Sequence, residues 1–248
     1  PQYQGIWTLQ QQAQALTNQQ WVTDPNFKNT VLLLQADGTS SGSQNHDFRD
    51  SSSNNFYISR YGNTTQGSFS PFCKPNGYWS YYGGSTSDKL TTSSTSPGNF
   101  GSGAFTIEAW VLFTELGSTR CLASNYQSST VGWSIFRNTS NQITFQATGD
   151  GADLTSTTKV VINQWYHIAV SGTPTSPGIK LFINGIQEDA TFTGSTSLDS
   201  TNAVVIGDGA GAASGYGIYG WISNFRLVKG TAVSVSYTHL TLPTILLV

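Results

Sequence analysis

The sequence predicts an all-β, two-sheet antiparallel sandwich, and three observations carry that prediction. From Thr30 onward, short apolar runs recur between clusters of Gly, Ser, Asn and Asp, the texture of strands joined by tight turns. The 248 residues include 26 glycines, and polarity comes from Ser, Thr, Asn and Gln, since only 10% of residues are charged. No stretch sustains the 3.6-residue periodicity of an amphipathic helix.

The opening stretch, PQYQGIWTLQQQAQALTNQQWVTDPNF, is Gln-rich. Its middle tolerates a helix, but Asp24-Pro25 stops one, because the residue before a proline is pushed out of the α region. Residues 1–29 therefore read as a linker or short helical approach, and residues 30–233 as the β domain. NTVLLLQADGTS supplies the first strand. In AFTIEAWVLF, Phe105, Ile107, Ala109 and Val111 alternate with Thr106, Glu108, Trp110 and Leu112. One set can fill the space between sheets, and the other puts Glu108 and Trp110 on the outer face. WYHIAVSG and GIKLFINGIQEDATF form a meander, with Asn184-Gly185 as a type I′ hairpin turn. NQITFQAT, AVVIGDG and GWISNFRLVKG add further strands.

Composition narrows the function. A net charge of −2 leaves no basic footprint for nucleic acid and no electrostatic attraction to an anionic membrane. No apolar run approaches the roughly 20 residues that span a bilayer, and no signal peptide opens the chain. Cys73 and Cys121 are too few for a disulfide scaffold and lack zinc-ligand spacing; they can form one bridge or remain two thiols. The absence of Met is read as the mark of an internal piece of a longer reading frame.

FTIEAWV, then WYHIAVSGTPTSPGIKLFINGIQ, then GYGIYGWISNFRLVKGTAV, in that order, resemble concanavalin A-like lectin/glucanase domains of the laminin G-like, pentraxin-type branch. The resemblance runs from about Thr30 to Val233 and implies a jelly-roll sandwich. DSSSNNF, FSPF and SNFRLVKGTA further resemble repeats of tail-fibre and other virion-surface proteins of marine phages, which implies an extracellular or virion-surface location. After Val233 the family pattern breaks. Val235–Thr244 resembles the in-frame translation of a transposase sequencing adapter, so residues 234–248 are expected to be a non-native tail on a truncated domain.

Several motifs imitate chemistry. Gly207, Gly209 and Ala212 spell G-x-G-x-x-A, but a dinucleotide fingerprint needs a helix to follow, and Gly- and Tyr-rich sequence follows instead. Glycoside hydrolysis needs two carboxylates flanking the bond. The best strand carries only Glu108, Glu115 lies beyond its end, and Glu188 and Asp189 would face opposite ways. The three histidines fit no hydrolase motif.

The resemblance implies possible calcium binding through loop carboxylates. Asp88 leads the candidates, with Asp37 and Asp208; Asp150 and Asp153 are further possibilities, although each Asp can equally cap a local turn. Relatives carry an acidic pair where this chain has Ser223-Asn224.

For a sugar, aromatic faces beside polar groups are required. Two loop groups supply them, GYWSYYGG with Trp79, Tyr81 and Tyr82, and SNYQSSTVGW with Asn125, Tyr126, Gln127 and Trp133. Stacking on Tyr or Trp and hydrogen bonds from Asn125 and Gln127 are the expected contacts, and the alternative is that Trp79 and Trp133 cap the sandwich. For Trp110, Trp165 and Trp221 the core is the favoured place.

The expected function is thus a non-enzymatic module that binds glycans or neighbouring virion or surface subunits. A glycoside hydrolase and a ligand-free architectural spacer are the other readings. If the tail is foreign to the fold, deleting residues 234–248 leaves the melting temperature unchanged. A fall of more than about 5 °C, the size of ~1 kcal/mol in a mid-sized domain, would mean that the tail is integrated.

Overall fold

A computed structural model describes residues 26–36, 46–71, 80–147, 153–175, 178–188, 198–211 and 214–233. Among them the chain forms fifteen strands. They are β1 (Thr30–Leu34), β2 (Ile58–Tyr61), β3 (Thr65–Gly67), β4 (Ser80–Gly83), β5 (Lys89–Thr92), β6 (Phe105–Phe113), β7 (Arg120–Ser124), β8 (Trp133–Arg137), β9 (Gln142–Ala147), β10 (Asp153–Lys159), β11 (Trp165–Gly172), β12 (Ile179–Ile183), β13 (Ile186–Gln187), β14 (Val205–Ile206) and β15 (Gly220–Lys229). Two single 3-10 turns, Phe27–Asn29 and Ser96–Gly98, are the helical elements among the described residues, so none of these is long and apolar enough to cross a membrane.

The strands make two antiparallel sheets. One runs β13-β12-β11-β6-β15-β4-β3, with β1 also paired to β15; the other runs β10-β9-β8-β7-β14-β5-β2. The fold is the expected β-sandwich. The alternation read in β6 is realised: Phe105, Ile107, Ala109, Val111 and Phe113 are all at most 1% exposed. They meet Ile135, Ile143, Phe145 and Leu122 of the second sheet in one core. Burying each such large side chain contributes about 1.5–3 kcal/mol. The hairpin between β12 and β13 turns at Asn184 and Gly185 with φ of 51° and 80°, the two positive values that a type I′ turn demands.

The last strand is out of simple phase. Ser223 pairs with Trp110 and Arg226 with Glu108, so two residues of β15, Asn224 and Phe225, oppose Ala109 alone. This is a β-bulge, and Asn224 takes its left-handed conformation at φ 48°. Ile222 and Phe225, three residues apart, thereby both reach the core. Without the extra residue, every side chain beyond Ser223 would change face and Arg226 would point between the sheets.

The Gly207–Gly209 segment leads from β14 toward β15, in keeping with a strand-to-strand loop. Cys121 is a free, buried thiol, pushed far up from its ordinary value by burial and by the Asp208 carboxylate; Cys73 lies outside the described residues, as does the tail from residue 234.

A side-chain clasp joins the two sheets at one edge. Glu188, just past β13, accepts hydrogen bonds from Thr157 Oγ1 at 2.9 Å, Thr158 N at 2.8 Å and Thr158 Oγ1 at 2.7 Å, all in β10. Burial raises the carboxyl's pKa, but these bonds outweigh it and hold the group below its ordinary value of 4.5. A pKa lowered by folding stabilises above the unfolded value, and that stability is lost as pH falls through the folded value. Urea midpoints should therefore decline as pH drops below about 4.5, and Glu188→Gln should flatten that decline. An acid branch identical in wild type and variant would mean that the clasp contributes nothing.

Candidate functional site

The loop group around Trp133 proves to be internal framework. Trp133 is 0% exposed, its ring stacked near Phe100 with centroids 6.1 Å apart and its Nε1 donating to Gly98 O at 3.0 Å. Asn125, also 0% exposed, donates Nδ2 to Gly98 O and Leu198 O, and its Oδ1 accepts from Trp133 N at 2.8 Å. The two residues tie a 3-10 turn, a strand end and a third segment together. Their polar atoms are matched inside the protein, so neither can meet a sugar.

Tyr81 fails for a different reason: strand alternation in β4 turns it inward. It is 2% exposed, edge-on to Phe48 at 6.0 Å, and burial, then the Cys121 charge, pushes its hydroxyl well up. Tyr82 consequently faces outward and is only half-buried. Gln127 is exposed, with Oε1 accepting from Thr201 N and Thr201 Oγ1, and Tyr126 is half-buried beside Asn202, which donates to its carbonyl. Trp79 lies outside the described residues. Of the two loop groups, then, Tyr82, Tyr126 and Gln127 remain at the surface, and they do not share a strand end.

The carboxylates suggested for calcium are engaged as caps. Asp88 is 3% exposed, and its two oxygens accept from Asn63 N at 2.8 Å and Gly84 N at 2.9 Å. A Cβ at Gly62, where φ is 65°, would lie 2.1 Å from Asp88 Oδ1, so this turn closes directly on the carboxylate. Asp208, 0% exposed, accepts from Gly215 N and Tyr216 N and pairs with Lys89 Nζ at 3.0 Å. With their oxygens turned to backbone amides and a lysine, these two residues do not compose a calcium shell of six or more ligands. Asp37 and Asp150 lie outside the described residues, Asp153 is exposed, and among the described residues no three His, Cys, Asp or Glu side chains gather around a common point.

The outer face of the larger sheet holds what the sequence reading missed. Trp165 pairs with Leu112, Leu112 with Trp221, Trp221 with Tyr82 and Tyr82 with Thr65, one continuous row across β11, β6, β15, β4 and β3. Because residues opposite one another share a face, the whole row points away from the core. Trp165, Trp221 and Tyr82 are partly exposed, contrary to the expectation that Trp165 and Trp221 are core residues. Trp110 too faces outward, in phase with Glu108, and its ring lies 5.4 Å from His167.

Phe69, half exposed, comes over the row from the segment after β3. Its ring centroid is 5.8 Å from Trp165 and 5.5 Å from Trp221, and Trp221 is 4.9 Å from Tyr82. Four rings are thus in sequential contact. Gly67 makes room for them: a Cβ there would sit 2.8 Å from Trp221 Cζ3.

Two steps along the same face lies a buried charge cluster. Glu108 Oε1 accepts from Arg226 Nε at 2.5 Å, and Oε2 lies 3.2 Å from His167 Nε2. Glu115 faces Arg120 at 2.5 Å, and Glu188 is held by the threonines described above. These glutamates are thus turned to cations or hydroxyls beside the aromatic row.

The profile of one protein family matches residues 83–234, more than half of the chain. The chain belongs to the concanavalin A-like lectin/glucanases superfamily. The match takes in β5 to β15, the part that builds most of both sheets. This concanavalin A-like chain is also similar to solved structures. The binding domain of Paraclostridial Mosquitocidal Protein 1 aligns with a TM-score of 0.65 at 15% identity, over 86% of this chain and 52% of that one. The binding domain of botulinum neurotoxin DC, solved with rat synaptotagmin II, gives 0.61 at 14%, over 85% and 50%. A structure of botulinum neurotoxin type C, whose cell entry is described as dependent on two ganglioside molecules, gives 0.61 at 14%, over 88% and 52%. At these identities the likeness is one of fold, and the chain spans about half the length of the structures it matches. A search of curated proteins finds no match.

Burial separates Trp133 from exposed Gln127 in a measurable way. Trp133→Ala should lower unfolding stability by about 3–5 kcal/mol, as expected for removing a fully packed ring, whereas Gln127→Ala should stay within about 0.5 kcal/mol. Equal, small effects in urea titrations would place Trp133 at the surface.

Proposed function

We propose that this domain is a non-enzymatic carbohydrate-binding module, displayed on a cell or virion surface, whose contact is the outer aromatic row. One observation carries the reading: Trp165, Phe69, Trp221 and Tyr82 form a continuous, partly exposed band on a rigid sheet, outside the core that folds the domain. Large rings facing water cost solvation free energy, and the main contiguous apolar patch of a monomer is often its functional one. Ring faces carry partial negative charge and attract the electropositive C–H groups of a pyranose, while the row's polar end at Thr65 can bond a hydroxyl. The fold supports the same reading, since lectins belong to this superfamily and the neurotoxin domains of similar architecture are binding domains.

Hydrolysis is the poorer reading. The carboxylate nearest the row in register, Glu108, is neutralised by Arg226, and an acid or nucleophile for glycoside cleavage needs a second carboxylate across the bond. A glycan array probed with the full chain and with Trp221→Ala tests the proposal. Capture by the wild type, lost in the variant while its circular dichroism is unchanged, is the expected result. Capture of no glycan, or release of shortened sugars during incubation, would overturn it.

A further inference from the structure

Resting on that reading, we propose that the row takes a neutral glycan segment of about three pyranose rings, laid across the strands. Direction follows from the register. The rings are not strung along one strand but occupy the same level on β11, β15 and β4, with Phe69 seated between the first two. From Trp165 to Tyr82 is three strand steps, about 14 Å, which matches roughly three sugar rings placed end to end. A chain running along the strands would touch a single ring of the row and then meet His167 and Trp110, which are one level farther and occupied with each other.

Neutrality follows from charge. An anionic sugar requires a cation with free donors facing the site, preferably an Arg fork. Among the described residues, the arginine on the row's own face, Arg226, is 8% exposed and bound to Glu108. The row itself consists of aromatic rings, Leu112 and Thr65, and carries no formal charge.

Size argues for a small ligand over a second copy of the chain. With about 150–250 Å² per ring, half-exposed Phe69 and three less exposed neighbours offer on the order of 300 Å². A stable dimer needs roughly 800 Å² per partner. The patch is too small for that and large enough for a short oligosaccharide.

The test is calorimetric titration of the full chain with neutral oligosaccharides of one to five rings, built in turn on glucose, mannose, galactose and N-acetylglucosamine. Sialylated and sulfated counterparts are run in parallel, at low and high salt. The expected result is a series in which affinity rises up to about three rings and then levels, with little salt dependence. Phe69→Ala and Trp221→Ala should each weaken it about tenfold, with unchanged melting temperatures reporting intact folds. Tyr82→Leu, which keeps bulk but removes the ring, serves if an alanine variant unfolds. An affinity already maximal at one ring, or tighter and salt-sensitive binding of the anionic sugars, would overturn this inference while leaving the carbohydrate-binding reading intact. Binding of no sugar in either series would sink both, and a mass above the monomer in sedimentation, lost in Trp221→Ala, would assign the patch to a second copy.

Discussion

The phase of β15 against β6 is the constraint on which the rest of the domain depends. β15 is the only described strand with three partners: it pairs with β6 on one side, and with β4 and then β1 on the other. Whatever it presents on each face is therefore fixed into the middle of the larger sheet. Before the bulge at Asn224, Trp221 faces outward with Leu112 and Tyr82. After it, Arg226 faces outward with Glu108, and Phe225 and Leu227 face the core. A strand of strict period two could satisfy one half or the other but not both. The single extra residue lets one strand carry an aromatic surface, a buried ion pair and a run of core side chains together. It also explains why an Asn stands at 224, since Asn accepts the left-handed conformation more readily than a branched residue would.

Aromatic residues in this chain perform two distinct jobs. Phe100, Phe105, Trp133 and Phe145 fill space between sheets, and the one polar side-chain group among them, the Trp133 indole N–H, donates to Gly98 O. Trp165, Trp221, Tyr82 and Phe69 contact one another outside the sheet and contribute little to the core. Among the described loops, where a sandwich would ordinarily be expected to meet its ligand, Asn125, Gln127, Asn99 and Asp208 turn their side chains onto backbone groups of neighbouring segments. With only 10% charged residues, such amide and carboxylate ties do the work that surface ion pairs do elsewhere.

Much of the fold was legible because it rests on local signals. The alternation in β6, the Asn184-Gly185 turn and the apolar runs of β11 and β12 each declare themselves within about ten residues. Strands such as β2, β3 and β5 were harder, being three or four residues long and rich in Ser, Thr and Gln, so that their identity comes from neighbours in the sheet. The site was largely illegible for the same reason. Trp165, Leu112, Trp221 and Tyr82 are far apart in sequence and become a row only through pairing register, which no local pattern states. Trp133 and Asn125 misled because a tryptophan beside polar residues in a loop looks the same whether it caps the interior or faces water. Asp88 and Asp208 misled likewise: a loop carboxylate suits a metal and a turn equally well. One clue was available, in that Leu112 and Trp110 share the outward phase of β6 and leave an apolar outer face to be explained.

That the aromatic row lies outside the sandwich, on side chains that the core does not need, has a consequence for how such domains diversify. Residues between the sheets are interlocked, and changing one obliges its neighbours to change. Positions 69, 82, 165 and 221 touch one another but carry no such obligation toward the core. A lineage built on this scaffold can therefore explore new surface preferences one ring at a time, without passing through poorly folded intermediates. A side chain at Gly67, by contrast, would press directly on the Trp221 ring. The scaffold separates the part of the sequence that must stay from the part that is free to adapt.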